Sequence, residues 1–386
     1  MNDRIYVDNS ATTQVSKAAL DAMIPCFTEN FGNPSAIYSY GQEAKITLEK
    51  SRVTVGKAIG AKSTEIYFTS GGTESVNWAI NSVCQQKSDK GKHIISTEIE
   101  HNAAMKTLEK LKGQGYDVTF LKPDKHGQVT PEQLESAMRK DTILVSIMMA
   151  NNVIGTVLRI KELCAIARNH RVMFHTDAVQ AVGHIPVNVR ELGVDLLSLS
   201  AHKFHGPKGI GAMFSKIPRI PASFITGGGQ ERGVRSGTEN VPCIAGMAAA
   251  LSESIENLTE SMVYVAKLRD KLIKQTLMIP GTYLTGDPHD RLPGHVSFVF
   301  EGIGHSVYLI NMLNDAGICA SSGSACSASS KESQHVLKAI GVEKGAAGSL
   351  RISLSAYNTE EEIDIINAKL PELIGVLRKE KRKIFP

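Results

Sequence analysis

Between Thr64 and Phe214, short runs rich in β-branched and aromatic residues alternate with segments whose apolar positions recur at helical spacing. The runs Glu65–Thr69, His93–Thr97, Asp117–Leu121, Ile143–Met148, Val172–His175 and Asp195–Leu199 predict strands. Ser75–Gln86, Pro131–Met138 and Ile160–Asn169 predict helices between them. Strands separated by helices imply a mainly parallel sheet covered by helices, because a parallel neighbour is reached only by a crossover. A glycine-rich stretch from Gly227 to Gly237 closes this part, and a long helical segment runs from about Val241 to Leu277. Beyond it, strand Val296–Phe300, helix Ser306–Ala316 and strand Leu350–Leu354 predict a smaller α+β unit. The last helix opens with Thr359 and, three residues on, Glu362, a capping box that satisfies otherwise unpaired N–H groups. The expected division is a large domain over 16–259 and a small domain built from 1–15 with 260–386.

Composition narrows the functional classes. A chain of 386 residues with 42% hydrophobic content can bury two cores. Its 43 basic and 39 acidic residues are dispersed and leave a net charge of +4, which gives no basic surface for nucleic acid or membrane. No segment approaches the run of about 18 apolar residues that spans a bilayer. Met1 to Thr13 lacks a cationic stretch followed by an apolar run, so a cytoplasmic protein is expected. Cys26, Cys84, Cys164, Cys243, Cys319 and Cys326 lie far apart without a CxxC pair, which suits neither a zinc site nor a disulfide framework.

The candidate chemistry gathers at strand ends, where open α/β sheets bind ligands. Ser70-Gly71-Gly72-Thr73-Glu74-Ser75 leaves one strand and opens a helix, a pattern that can cradle a phosphate on free N–H groups but is shared by ordinary chain reversals. Phe174-His175-Thr176-Asp177 ends a buried strand in a carboxylate. Ser198-Leu199-Ser200-Ala201-His202-Lys203 ends the next, and one crossover brings Asp177 and Lys203 to the same sheet edge. A lysine there either pairs with the acid or, when its amine is neutral, condenses with an aldehyde.

With these elements and the segment around Cys326, the sequence resembles the cysteine desulfurases of the NifS-like group, within the aspartate-aminotransferase fold type of pyridoxal-phosphate enzymes. The matching segments begin at Tyr6-Val7-Asp8-Asn9-Ser10-Ala11-Thr12-Thr13 and continue through Gly32-Asn33-Pro34-Ser35, Glu100-His101-Asn102-Ala103 and Asn151-Asn152. They end with Arg235-Ser236-Gly237-Thr238-Glu239-Asn240 and Ser321-Ser322-Gly323-Ser324-Ala325-Cys326.

The resemblance implies that Lys203 carries pyridoxal 5'-phosphate as a Schiff base, with Asp177 against the ring nitrogen and His101 stacked on the ring. It places Gln180 and Asn152 near the phenolic oxygen. Gly72 and Thr73, with Ser200 and His202, are expected at the phosphate. Thr238 is expected at the phosphate of a second subunit, which implies a homodimer. Arg351, helped by Asn33, is expected to take the substrate α-carboxylate. Cys326 is expected to accept sulfur from L-cysteine as a persulfide, leaving L-alanine, and to pass it to an acceptor protein for iron–sulfur cluster assembly or other sulfur trafficking. An aminotransferase or a selenocysteine lyase on the same scaffold, or a sulfur-delivery partner that depends on its acceptor, are the alternatives. One departure stands after the cysteine: Lys331-Glu332-Ser333-Gln334-His335 occupies a place where many relatives have a proline-containing turn.

Overall fold

The computed structural model describes residues 4–217, 224–303, 305–322, 330–342 and 347–384. Its strands are β1 (Ile5–Tyr6), β2 (Ile66–Thr69), β3 (His93–Thr97), β4 (Asp117–Leu121), β5 (Thr142–Ser146), β6 (Met173–Asp177), β7 (Leu196–Ser200), β8 (Gly211–Ser215), β9 (Thr282–Leu284), β10 (His295–Glu301), β11 (Ile318–Cys319) and β12 (Ala347–Ser353). The main sheet has seven strands in the order β2-β8-β7-β6-β5-β3-β4. β8 alone runs against its neighbours β2 and β7, so the other six share one direction and their C-terminal ends face one edge.

Most of these strands are buried at every position, as expected of a sheet covered on both faces, whereas the edge strand β4 is partly exposed. Sequence periodicity gives no strand at β8, which enters from Gly206-Pro207-Lys208-Gly209. Gly211 is required at its start, since a Cβ there would lie 2.6 Å from the Leu199 carbonyl oxygen and 2.8 Å from the Gly71 backbone.

The helix Ser39–Ala58 buries Ala44, Leu48, Ser51, Arg52 and Val55, a single face at helical spacing. The helical segment expected over 241–277 is two helices, Val241–Glu256 and Leu258–Thr276. Asn257 separates them: its backbone N–H and its side-chain amide both donate to the Glu253 carbonyl, at 3.2 and 2.9 Å. This competition between side chain and backbone ends helices. The break matters for packing. Ile244, Met247 and Leu251 of the first helix join the core around the main sheet, whereas Val265, Leu268 and Leu272 of the second join a separate core.

That second core lies against the antiparallel sheet β12-β10-β9 and the parallel pair β1-β11. Ile5 and Val7 belong to it, and so do Ile363, Ile366 and Leu370 of the final helix Glu360–Ile384. The capping box forms as the sequence predicts, with the Thr359 N–H 3.1 Å from Glu362 Oε2 and the Glu362 N–H 3.3 Å from Thr359 Oγ1. The helix Ser330–Ala339 returns to the first core through Val336 and Ala339, with Ile340 just after it. His335 lies on it and its Nε2–H donates to the Glu100 carbonyl at 3.1 Å, so the segment that lacks the proline turn docks beside His101.

Candidate active site

Six strands of common direction deliver their following residues to one edge, and a cavity of about 200 Å³ opens there. Its walls take Gly72 and Thr73 from beyond β2, His101 from beyond β3 and Met148 and Asn152 from beyond β5. Asp177, Val179 and Gln180 come from β6 and the turn after it, and Ser200, His202 and Lys203 from β7 and its 3-10 turn. A second hollow shares Gly72, Thr73, Ser200 and His202 with it and adds Thr12, Ser70, Gly71, Glu74, Lys208 and Gly209.

That second hollow is suited to an anion. The helix Gly72–Gln86 starts in it, with its unpaired N–H groups and the positive end of its dipole. Gly71 before it has φ +154°, a backbone conformation that side chains rarely allow, and a Cβ on Gly72 would meet Val179 Cγ2 at 2.7 Å. The helix start is braced by Glu74, which accepts from the Ser70 N–H at 2.8 Å and from Arg235 at 2.8 and 3.1 Å. Burial, with the charges of Lys203 and Lys208 added, pushes His202 down to about 4, so the ring is neutral at pH 7 and lies 3.2 Å from Thr12 Oγ1 through Nδ1.

Lys203 Nζ donates to the backbone carbonyls of Ser10 and Ala11 at 2.5 and 2.8 Å. Gln180 Nε2 donates to the same Ser10 carbonyl at 3.0 Å. The Lys203 backbone is held from behind by His184, whose Nε2–H donates to the Lys203 carbonyl at 2.7 Å and whose enclosure pushes it down to about 4.

Asp177 is 6% exposed, and its Oδ1 accepts from the Val179 N–H at 3.0 Å, which orients the carboxylate at the end of the strand. Beneath it, the fully buried His175 bridges Ser146 and Ser198 at 2.9 and 3.0 Å and is pushed down to about 3 by burial. His101 caps the helix Asn102–Gly113, with Nδ1 accepting from the Ala103 N–H at 3.0 Å, so the ring proton sits on Nε2.

Glu100, 1% exposed, accepts from Thr97 Oγ1 at 2.6 Å and from the Met148 N–H at 3.1 Å. Burial, with the nearby Asp177 charge adding to it, raises its carboxyl to about 8 against those two hydrogen bonds.

Arg351 comes from β12 in the other core. Its Nη1 donates to the Asn152 carbonyl at 2.9 Å and its Nη2 to Asp8 Oδ1 at 2.6 Å. Thus the structure brings together Gly72, Thr73, His101, Asn152, Asp177, Gln180, Ser200, His202 and Lys203, with Arg351 at the Asn152 backbone. Asn33 and Thr238 are exposed and line neither hollow, and Cys326 lies outside the described residues.

Sequence reasoning missed Asp8, Ser10, Glu100 and His184 as site-shaping residues. The first three stand inside the quoted motifs; His184 carries no local signal.

The arrangement sets a carboxylate at one end, an anion cradle at the other, an amine between them and an imidazole at the wall. These residues fit pyridoxal phosphate: Asp177 would face the ring nitrogen, Lys203 the aldehyde, and Thr73, Ser200 and His202 the phosphate. Among the described residues no group of three or more His, Cys, Asp or Glu side chains could hold a metal ion, and no helix is long and apolar enough to cross a membrane.

The profile of the class-V aminotransferases matches residues 5–366. The chain is 50% identical over 379 residues to the cysteine desulfurase IscS of Methanosarcina thermophila, covering 98% of this chain and 93% of that one. It superposes with a TM-score of 0.91 on a solved NifS-like protein at 39% identity, covering 97% of this chain and all of the other. A structure described as SspA in complex with cysteine superposes with a TM-score of 0.80 at 32% identity, covering 92% of this chain and all of that one.

Proposed function

From the premise that the chain belongs to the class-V aminotransferase family, we propose that it is a cysteine desulfurase that converts L-cysteine to L-alanine and holds the sulfur as a persulfide on Cys326. The observation that supports this most is the convergence of Asp177, His101 and Lys203 on one cavity beside an anion cradle, in a chain half identical to a cysteine desulfurase along nearly its whole length. The solved relative in complex with cysteine supports the substrate.

Pyridoxal phosphate, when bound, supplies an electron sink that weakens the substrate bonds at Cα. Asp177, ordered by the Val179 N–H, keeps a proton on the ring nitrogen and so sustains that sink. Lys203 would hold the cofactor through its amine and, as a neutral amine in the same cavity, would move the Cα proton. His101, oriented by the Ala103 N–H on its Nδ1, would present its ring at the wall of the cavity. Arg351 takes the α-carboxylate through a charge-assisted hydrogen bond. The Cys326 thiolate then forms an S–S bond to the substrate sulfur as the Cβ–S bond breaks. The electron pair stays with carbon, which is protonated to the methyl group of alanine. Cysteine and a thiol are thereby converted to alanine and a persulfide, with no external oxidant.

The working form in this reading is a homodimer. Thr238 is exposed and lines neither of the two hollows described above, which suits a role at a partner's phosphate. Leu20, Ile24, Phe27, Phe31, Ile37 and Tyr38 form a run of large exposed apolar side chains, with Ile37 93% exposed, suited to burial against a second copy. The sulfur passes to an acceptor protein. A thiol that cycles through a persulfide, together with free cysteines elsewhere, suits the reducing cytoplasm.

The test is mass spectrometry of the protein after L-cysteine is added without reductant. A Cys326 peptide heavier by one sulfur, absent in Cys326→Ser, is expected. A Cys326→Ser protein with full turnover removes the thiol from the mechanism.

A further inference from the structure

Arg351 is held on two of its three nitrogens. The Asn152 carbonyl takes Nη1 at 2.9 Å and also accepts from His295 Nε2 at 3.1 Å, so both of its lone pairs are used and Nη1 is fixed. Asp8 takes Nη2 at 2.6 Å. Nε is buried and has no hydrogen-bond partner among the described residues. An unmatched guanidinium N–H inside a protein carries a desolvation cost that an arriving acceptor removes.

Asp8 is not a loosely held surface partner. Its backbone bridges Ser353 of β12, and the next two residues repeat the connection. Asn9 reaches the Ser353 carbonyl through Nδ2 at 2.8 Å, and the Ser10 N–H reaches Ser353 Oγ at 2.8 Å. The Asp8 and Arg351 side chains are only 20% and 8% exposed, so solvent screens the pair little. Two residues from Asp8, the Ser10 carbonyl receives Lys203 and Gln180, so one short segment spans the guanidinium and the amine.

We propose that Asp8 is a positioning residue which, with the Asn152 carbonyl, turns the Arg351 guanidinium so that its Nε edge meets the substrate α-carboxylate, making the site selective for amines that carry one. This rests on the assignment of Arg351 to that carboxylate. Asp8 lines neither hollow; it acts through the orientation of Arg351.

The experiment uses the holoenzyme with two probes, L-alanine and ethylamine, which differ by the carboxylate, and compares Asp8→Ala, Asp8→Asn and Arg351→Gln. Asp8→Ala is expected to weaken L-alanine binding about tenfold and to raise KM for L-cysteine by a similar factor, the size of one charge-assisted hydrogen bond. Its kcat and its affinity for ethylamine stay unchanged. Asp8→Asn keeps an oxygen that accepts from Nη2 and recovers most of the loss, which a purely electrostatic role would not allow.

Tighter alanine binding in both Asp8 variants would mean that Asp8 competes with the substrate, and would overturn the proposal. Equal loss of alanine and ethylamine in Asp8→Ala would also overturn it, since the effect would then lie in the fold or the cofactor. If Arg351→Gln weakens alanine but Asp8→Ala does not, the positioning role fails and the carboxylate assignment stands. If Arg351→Gln leaves alanine binding unchanged, that assignment fails and the proposal with it.

Discussion

The floor of the cavity and its rim are built in different ways. The floor is the work of one sheet: Thr73, His101, Asp177 and Lys203 each end or follow a strand of common direction, and His101 and Asp177 are oriented by N–H groups two residues on. The rim is assembled across two cores, with Arg351 on β12 meeting Asp8 and Asn152, and the segment from Asp8 to Thr13 lying over Lys203 and His202. A floor made by one cooperative sheet suits groups that must keep fixed relations to a flat ring. A rim made by contacts between cores suits the recognition of a substrate that comes and goes.

Substitutions should sort along this line. Lys203→Ala on the floor is expected to have the largest effect, with loss of the cofactor's absorbance band and a fall in turnover of more than about 10³-fold. A retained band in that variant would place the Schiff base elsewhere. Asp177→Asn should keep the cofactor but lower kcat about 10²-fold, the scale of losing one preorganised charge, with little change in KM. A change confined to KM would move Asp177 from the chemistry to the rim. The Asp8 variants should affect KM and spare the absorbance band, the opposite pattern.

Glu100→Gln gives the subtlest effect and tests the packing beneath the floor. The Glu100 carboxyl is raised to about 8 in the folded protein, against its ordinary 4.5 when unfolded. Between these values the folded state binds more protons than the unfolded state, so stability falls as pH rises from about 5 to 8. Glu100→Gln removes that titration, and its melting temperature should be flatter over the same window. Identical slopes for both proteins would show that Glu100 does not hold its proton there.

The difference between floor and rim also decides how much the sequence discloses. β3, β4, β6 and β7 fall within a residue or two of the runs that predict them, because buried strands of a parallel sheet are continuous β-branched and apolar runs with punctuated ends. Asp177 and Lys203 stand at such ends and are legible as a pair facing one cleft. β8 escapes, since Gly211-Ala212-Met213-Phe214-Ser215 opens on two small residues and holds no β-branched one. The helix break at Asn257 escapes too, because apolar periodicity continues across it. The rim contacts leave no local trace. Asp8 and Arg351 are 343 residues apart and Ser10 and Lys203 are 193 apart, and no period in the chain reports such pairs.

The most direct measurement is the absorbance spectrum of the purified protein, followed by addition of L-cysteine with a reductant and assay of the products. A cofactor band, with one alanine formed for each sulfide released, is the result predicted for a desulfurase. A cofactor band with a keto acid in place of alanine, or turnover confined to selenocysteine, would keep the fold and contradict the reaction.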